Sequence, residues 1–299
     1  MSSINSNMKL WLMGLFLALV VLIAKSVIDA GVHPIYVSFF QASGSALYLI
    51  STGAFKGVKL TLVKRHFSFF VIASLLGFTI PQLIVFSSVN HVGVGIASLS
   101  YALPLIVTYL ISLKMGLEPF NIKGLLFLLI LVVGTFAYLF RSEYILDFSG
   151  SWSWIILLSL SPISIGIANV YRSVKWPTGL PVLHVALLTN LFSAITYLFL
   201  IFILAPRFDI ASSEKLNVTL LLIILMLLSG SGQFLLFSLQ KSVGPVFIGQ
   251  TGSIVTLFGG VLGYVFYGDS YSIYTFIGSL FIFIGVFYYS KYKLLYTQN

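Results

Sequence analysis

Apolar residues run along this chain in long, almost unbroken stretches instead of alternating with polar ones. Crossing a hydrocarbon core of about 30 Å takes about 20 helical residues. Stretches of that length recur ten times, near 8–28, 34–55, 67–89, 93–113, 122–140, 152–171, 181–205, 218–239, 245–267 and 271–290. Lipid offers no water to satisfy backbone N–H and C=O groups, and the runs are far too long for barrel strands, so each reads as a helix. Every connector is short, the longest being 206–217. The pattern predicts an all-α integral membrane protein of ten transmembrane helices with no soluble domain attached.

A second pattern lies over the first. Sliding the segment from Gln82 to Tyr138 forward by 151 positions, without a gap, places Gln82 on Gln233, Phe86-Ser87 on Phe237-Ser238 and Val92-Gly93 on Val243-Gly244. Further along, Ile122 meets Ile273, Leu129 meets Leu280, Gly134 meets Gly285, Tyr138 meets Tyr289, and Glu118 meets the equivalent Asp269. Gln, Gly and acidic positions are not those that apolar bias alone would align. Two five-helix repeats are therefore expected, 1–146 and 147–299, forming one membrane domain with a central cavity. Five is odd, so equivalent helices of the two repeats run in opposite directions and the repeat is inverted, the architecture of alternating-access carriers.

Composition excludes the soluble classes. With 59% hydrophobic and 8% charged residues and a mean hydropathy of +1.07, the chain has too little polar surface to face water. The absence of cysteine removes disulfides, thiolate metal sites and Cys nucleophiles. Sixteen Lys and Arg against seven Asp and Glu would suggest nucleic acid in a soluble protein. Here the excess follows topology: twelve basic residues, from Lys9 through Lys56, Lys114, Arg172 and Lys241 to Lys293, fall on one side of the predicted bundle, against Arg141, Arg207 and Lys215 on the other. By the positive-inside rule both termini are cytoplasmic; a multi-pass inner-membrane protein is expected, bacterial by its short loops and lack of extra domains, with lipid and not nucleic acid as its surroundings.

Several chemistries lack their residues. There is no phosphate-binding Gly-x-x-x-x-Gly-Lys-Ser/Thr loop, and His33, His66, His91 and His184 cannot form a His-Glu-x-x-His helix. All seven carboxylates fall at helix ends or in loops, so no mid-membrane acid offers itself for proton coupling. No cofactor, metal or catalytic residue is expected.

Polar residues inside the spans are the site candidates, since each is costly in hydrocarbon and tends to face a cavity or the bundle interior. Gln82 and Gln233 lead because they occupy one equivalent position. Ser98 and Tyr101 share a face at helical spacing, as do Gln250 and Ser253. The competing reading is that such side chains only bond helix to helix. Lys25 has two readings, a cation turned into the cavity or a surface ammonium paired with Asp29 one turn on. Asn169 is a further candidate, whereas Tyr171 and Arg172 read as interfacial anchors at a cytoplasmic helix end.

A set of short motifs carries a resemblance: Leu103-Pro104, Gly116-Leu117-Glu118-Pro119 and Gly134 in the first copy, and Val243-Gly244-Pro245, Tyr267-Gly268-Asp269, Gly278 and Gly285 in the second, with Trp154 and Asn169-Val170-Tyr171-Arg172 on the sixth span. In these the chain resembles the EamA-type ten-helix transporters of the drug/metabolite transporter superfamily. Gln41, Val255 and Asp269 depart from that pattern, which usually has Arg, Pro and Glu there. The resemblance implies a substrate cavity between the halves, lined mainly by the third, fourth, eighth and ninth spans. It also implies a carrier of small organic metabolites such as amino acids, with a small-molecule substrate as its partner and its oligomeric state open. Two other classes stand beside it: a membrane-embedded lipid-handling enzyme, and a receptor or structural membrane protein without transport.

Overall fold

A computed structural model describes residues 6–53, 60–139, 152–204, 215–267 and 272–296. Among them the only regular structure is helical. In the first half the elements are α1 (Ser6–Asp29), α2 (Pro34–Ser51), α3 (Leu60–Arg65), α4 (Phe67–Ser74), a π-turn (Leu75–Thr79), α5 (Ile80–Ala102), α6 (Pro104–Lys114) and α7 (Ile122–Leu139). The second half holds α8 (Trp152–Val174), α9 (Val182–Leu204), α10 (Lys215–Ser242), α11 (Pro245–Gly249), α12 (Thr251–Tyr267) and α13 (Ile273–Tyr296). Among the described residues six stretches are long and apolar enough to cross a membrane, and Pro104–Lys114 and Ile122–Ala137 are shorter apolar helices. Asp269 and most of the 206–217 connector lie outside the described residues.

The surface follows a membrane logic. Leu110, Phe202, Leu216, Val265 and Phe276 are each more than half exposed, while Ser45, Thr108, Thr189, Gln250 and Ser253 are fully buried. Lipid covers the apolar exterior, and the polar groups turn inward to bond one another or a cavity.

The third and fourth spans differ from expectation at their junction. A turn was expected near residue 90, yet the helical backbone runs unbroken from Ile80 to Ala102, and the break falls at Leu103, ahead of Pro104. A straight helix would separate positions 82 and 101 by about 28 Å. The Tyr101 hydroxyl nevertheless lies 3.5 Å from Gln82 Oε1, nineteen residues away. The helical chain therefore bends back on itself between them, and the reversal is made without leaving helical backbone. In the second half the same junction is sharp: Gly244, at φ 100°, stands between α10 and α11, with Pro245 in the first helical position. Proline has no N–H to continue the preceding helix and clashes with its carbonyls, and glycine takes the positive φ that other residues resist. Position 94, equivalent to Pro245, is Val94, so the first copy lacks the residue that would enforce a break.

Helices α7 and α13 form the most intimate pair. A Cβ placed on Gly134 would meet Phe281 Cβ at 2.5 Å and the Ile282 backbone nitrogen at 2.8 Å. One placed on Gly285 would meet Leu131 Cβ at 2.5 Å, and one on Gly124 would meet Tyr292 at 3.1 Å. Numbers fall along α7 as they rise along α13, so the two helices are antiparallel. The contacts are also reciprocal: at the 151-residue offset Gly134 corresponds to Gly285 and Leu131 to Ile282. Deeper in the bundle α1 packs on α5, α10 and α12, and α8 packs on α5, α6 and the π-turn, which sets α1 and α8 on opposing walls of a central space.

Candidate functional site

That space is a cavity of about 750 Å³, counting the part open to solvent, walled by α1, α2, the π-turn, α5 and α6 from the first half and by α8, α10, α11 and α12 from the second. Much of the lining is apolar, including Met13, Leu17, Phe78 and Leu236, and polar groups stand on it at a few points. Such a surface, apolar with a small number of placed polar groups, is what small-molecule sites have in common.

Four of the candidates from the sequence meet here: Gln82, Tyr101, Asn169 and Gln233 all line the cavity. Gln41, Thr251 and Arg172 line it with them. Their polar atoms are unusual in one respect. Gln41 Oε1, Gln82 Nε2, Gln233 Oε1, Thr251 Oγ1 and Arg172 Nε and Nη1 are all buried without a hydrogen-bond partner. Buried polar atoms in proteins are nearly always bonded, to protein, water or ligand. A cluster of unbonded ones around a shared space is where water or a solute completes the bonding.

Arg172 corrects the expectation that it anchors the helix at the membrane interface. Its side chain is 1% exposed. Helical side chains lean toward the N-terminus of their helix. A residue in the last turn of α8 therefore sends its guanidinium back into the bundle and not out to the headgroups. There Nη2 donates to Asn169 Oδ1 at 2.6 Å, three residues earlier. The guanidinium carbon lies 5.1 Å from the ring centre of Phe78 and 5.6 Å from that of Phe237, close enough for both aromatic faces to stabilise the cation. Asn169 is held in turn, its Nδ2 donating to Thr108 Oγ1 at 3.3 Å. Gln240 Nε2 donates to the Asn169 carbonyl at 3.0 Å and also to Ser173 Oγ. The network ties α6, α8 and α10 together and sets the angle at which the arginine enters the cavity.

Gly77, in the π-turn, supplies the room. A Cβ at that position would lie 2.5 Å from Arg172 Nη1. The π-turn widens the helix by one residue at this point, a local irregularity often found at functional sites. Gly77→Ala is expected to displace the guanidinium and lower solute flux severalfold at near-normal yield, because the opposing atom is the far end of a flexible side chain. Flux per unit of folded protein in liposomes checks it, and unchanged flux would show that the position of the guanidinium is immaterial.

The remaining candidates lie elsewhere. Gln250 is fully buried, donates to Phe247 O at 3.2 Å and accepts from Ser290 Oγ at 3.3 Å, so its amide bonds within its own helical turn and to α13. Ser253 Oγ pairs with Thr135 Oγ1 at 3.1 Å, joining α12 to α7. Lys25 makes an ion pair with Asp29 at 2.5 Å, the surface reading of the two considered. The side chain of Ser98 lies outside the described residues. Among the described residues no carboxylate lines the cavity, and no group of His, Cys, Asp or Glu is arranged to hold a metal.

Fold and cavity together define a polytopic, all-helical membrane protein with a polar-studded central cavity walled by both halves of its chain. Residues 152–291 match the EamA-like transporter family. The matched stretch includes Asn169, Arg172, Gln233 and Thr251. The resemblance to the drug/metabolite transporter superfamily drawn from the motifs is borne out. No curated protein matches the chain. A solved structure titled "Crystal structure of protein" is similar with a TM-score of 0.70 at 18% identity, over 95% of this chain and 97% of that one. At that identity the likeness speaks to the fold alone.

Proposed function

We propose that the protein is a secondary carrier that moves small organic metabolites, amino acids and related compounds among them, across the cytoplasmic membrane by alternating access. The observation that carries this reading is the cavity itself, in which Gln82 of one repeat and Gln233 of the other both present buried, unpartnered polar atoms. The antiparallel, reciprocal packing of α7 and α13 supports an inverted repeat. A two-fold axis between antiparallel equivalent helices is perpendicular to them and so lies in the membrane plane. Two such halves can exchange conformations, closing one mouth of the cavity as the other opens. A lipid-handling enzyme finds no support among the described cavity residues, which include no carboxylate, histidine or serine to act as base or nucleophile.

Purified protein in liposomes separates the classes: release of entrapped solutes without chemical change supports a carrier, and turnover without flux supports an enzyme. Topology gives a second check. With ten spans and cytoplasmic termini, a reporter fused after Asn299 is expected inside the cell and one inserted in the 206–217 connector outside. Both reporters on one side would remove the inverted repeat.

A further inference from the structure

We infer that Arg172 is the recognition point for an anionic group, so that the solutes this cavity takes are small organic anions, carboxylates foremost. The inference rests on the carrier reading and narrows its substrate class. The arginine is almost wholly buried and lines the cavity. A buried guanidinium ordinarily has a carboxylate beside it, because a charge taken out of water is costly unless paired. Among the described residues no carboxylate pairs with Arg172, and none borders the cavity. What holds Arg172 instead is neutral: the Asn169 amide oxygen at 2.6 Å and the rings of Phe78 and Phe237, their centres 5.1 and 5.6 Å from the guanidinium carbon. Those contacts orient the cation without neutralising it. Its Nε and Nη1 donors are left without an acceptor, and the missing side chain at Gly77 is what lets Nη1 lie where it does. A planar, charged donor fork on a buried wall suits a carboxylate better than any neutral group.

The rest of the lining narrows the class further. Gln41 Oε1 and Gln233 Oε1 are neutral acceptors, Gln82 Nε2 is a neutral donor, and Thr251 Oγ1 can act as either. They suit hydroxyl, amide or amino groups on the same solute. With no acid among the described lining residues, a second full cation on the solute has no counter-charge from them. The preferred solute therefore carries net negative charge, or a carboxylate whose amino group is met only by neutral oxygens.

The test uses whole protein and no presumed ligand. Proteoliposomes are loaded with the low-molecular-weight metabolite extract of bacterial cells, and the compounds that escape faster than from protein-free liposomes are identified by mass spectrometry. The released set is expected to consist of compounds with a carboxylate or other anionic group. Arg172→Gln should slow their escape at least tenfold while eluting as a monodisperse species, and Arg172→Lys, which keeps the charge but not the fork, should restore part of it. A released set of compounds without an anionic group overturns the inference and leaves the carrier reading intact, as does an Arg172→Gln variant that releases the same set at the same rate. If Arg172→Gln does not fold, Arg172→Lys decides: wild-type rates for every released compound overturn the assignment. If wild-type protein releases nothing, the carrier reading fails, and thermal unfolding in detergent then decides on the anion. The extract fraction retained by an anion-exchange resin should raise the melting temperature of wild-type protein and not that of Arg172→Lys, and no shift in wild type would overturn it.

Discussion

Gly285→Leu is expected to leave almost no folded protein in the membrane, and Gly134→Leu to do the same, while Gly232→Ala leaves yield unchanged. The first two glycines bring α7 and α13 together. A Cβ on Gly285 would sit 2.5 Å from Leu131 Cβ, 2.8 Å from its Cα and 2.9 Å from its backbone nitrogen, and one on Gly134 would sit 2.8 Å from the Ile282 nitrogen and 3.0 Å from the Gly278 oxygen. Backbone atoms cannot swing aside, so the helices would have to separate along their whole shared length. Small residues are what allow such close approach where no hydrophobic effect drives helices together in lipid. Overpacking a well-filled site costs about 1–3 kcal/mol even where side chains can adjust. A whole leucine against backbone costs more, against a total stability of about 5–15 kcal/mol. By contrast, a Cβ on Gly232 would lie 3.8 Å from Phe16, an ordinary contact. Size-exclusion profiles of detergent-extracted protein distinguish the three, and wild-type profiles for both leucine variants would show that α7 and α13 are not packed in this way.

The second large effect is expected at the paired glutamines. Gln82→Leu and Gln233→Leu should each reduce transport of a solute the protein carries while expression stays near normal, since both residues border the cavity. Gln82 has one long bond from the Tyr101 hydroxyl, at 3.5 Å, and its Nε2 is unpartnered, as is Gln233 Oε1. Leucine therefore removes few bonds that fold the protein and most of those a solute would receive. Loss of one buried hydrogen bond, about 1–3 kcal/mol, corresponds to roughly five- to 150-fold in affinity. Normal transport by both single variants and by the double would move the site away from the glutamines, toward Arg172 and Asn169.

Much of this molecule could be read from its sequence, because lipid leaves a chain few choices. Uninterrupted apolar runs can only be helices, so the all-helical architecture was legible before any coordinate. The register between the halves brought forward Gln82 and Gln233, and both border the cavity. Helical periodicity was less informative. It put Gln250 and Ser253 on one face of the ninth span, but a polar face can look to a neighbouring helix as well as to a cavity, and both side chains bond to neighbours on α13 and α7. Lys25 and Arg172 show the limit most clearly. Each is a basic residue near a helix end, and sequence position suggests snorkelling for both. Both lie near the C-terminal end of their helix, and the difference lies in their partners: Asp29 one turn on holds the Lys25 ammonium, whereas Asn169 one turn back and Gly77 opposite let the arginine turn inward. The Asn169-x-x-Arg172 spacing was the signal. Gly77, the partner that makes room, is 95 positions away in sequence, and nothing local connects the two.

Alternating access is tested most directly by counterflow. Proteoliposomes are filled with a high concentration of a metabolite that the protein releases, and a trace of the labelled compound is added outside. A carrier whose single cavity opens to one side at a time should accumulate label transiently above its outside concentration, at a rate that saturates, and the Gln82→Leu/Gln233→Leu double variant should lose that overshoot. Label that only equilibrates, at a rate proportional to its concentration and indifferent to unlabelled solute within, would contradict alternating access and indicate an open pore.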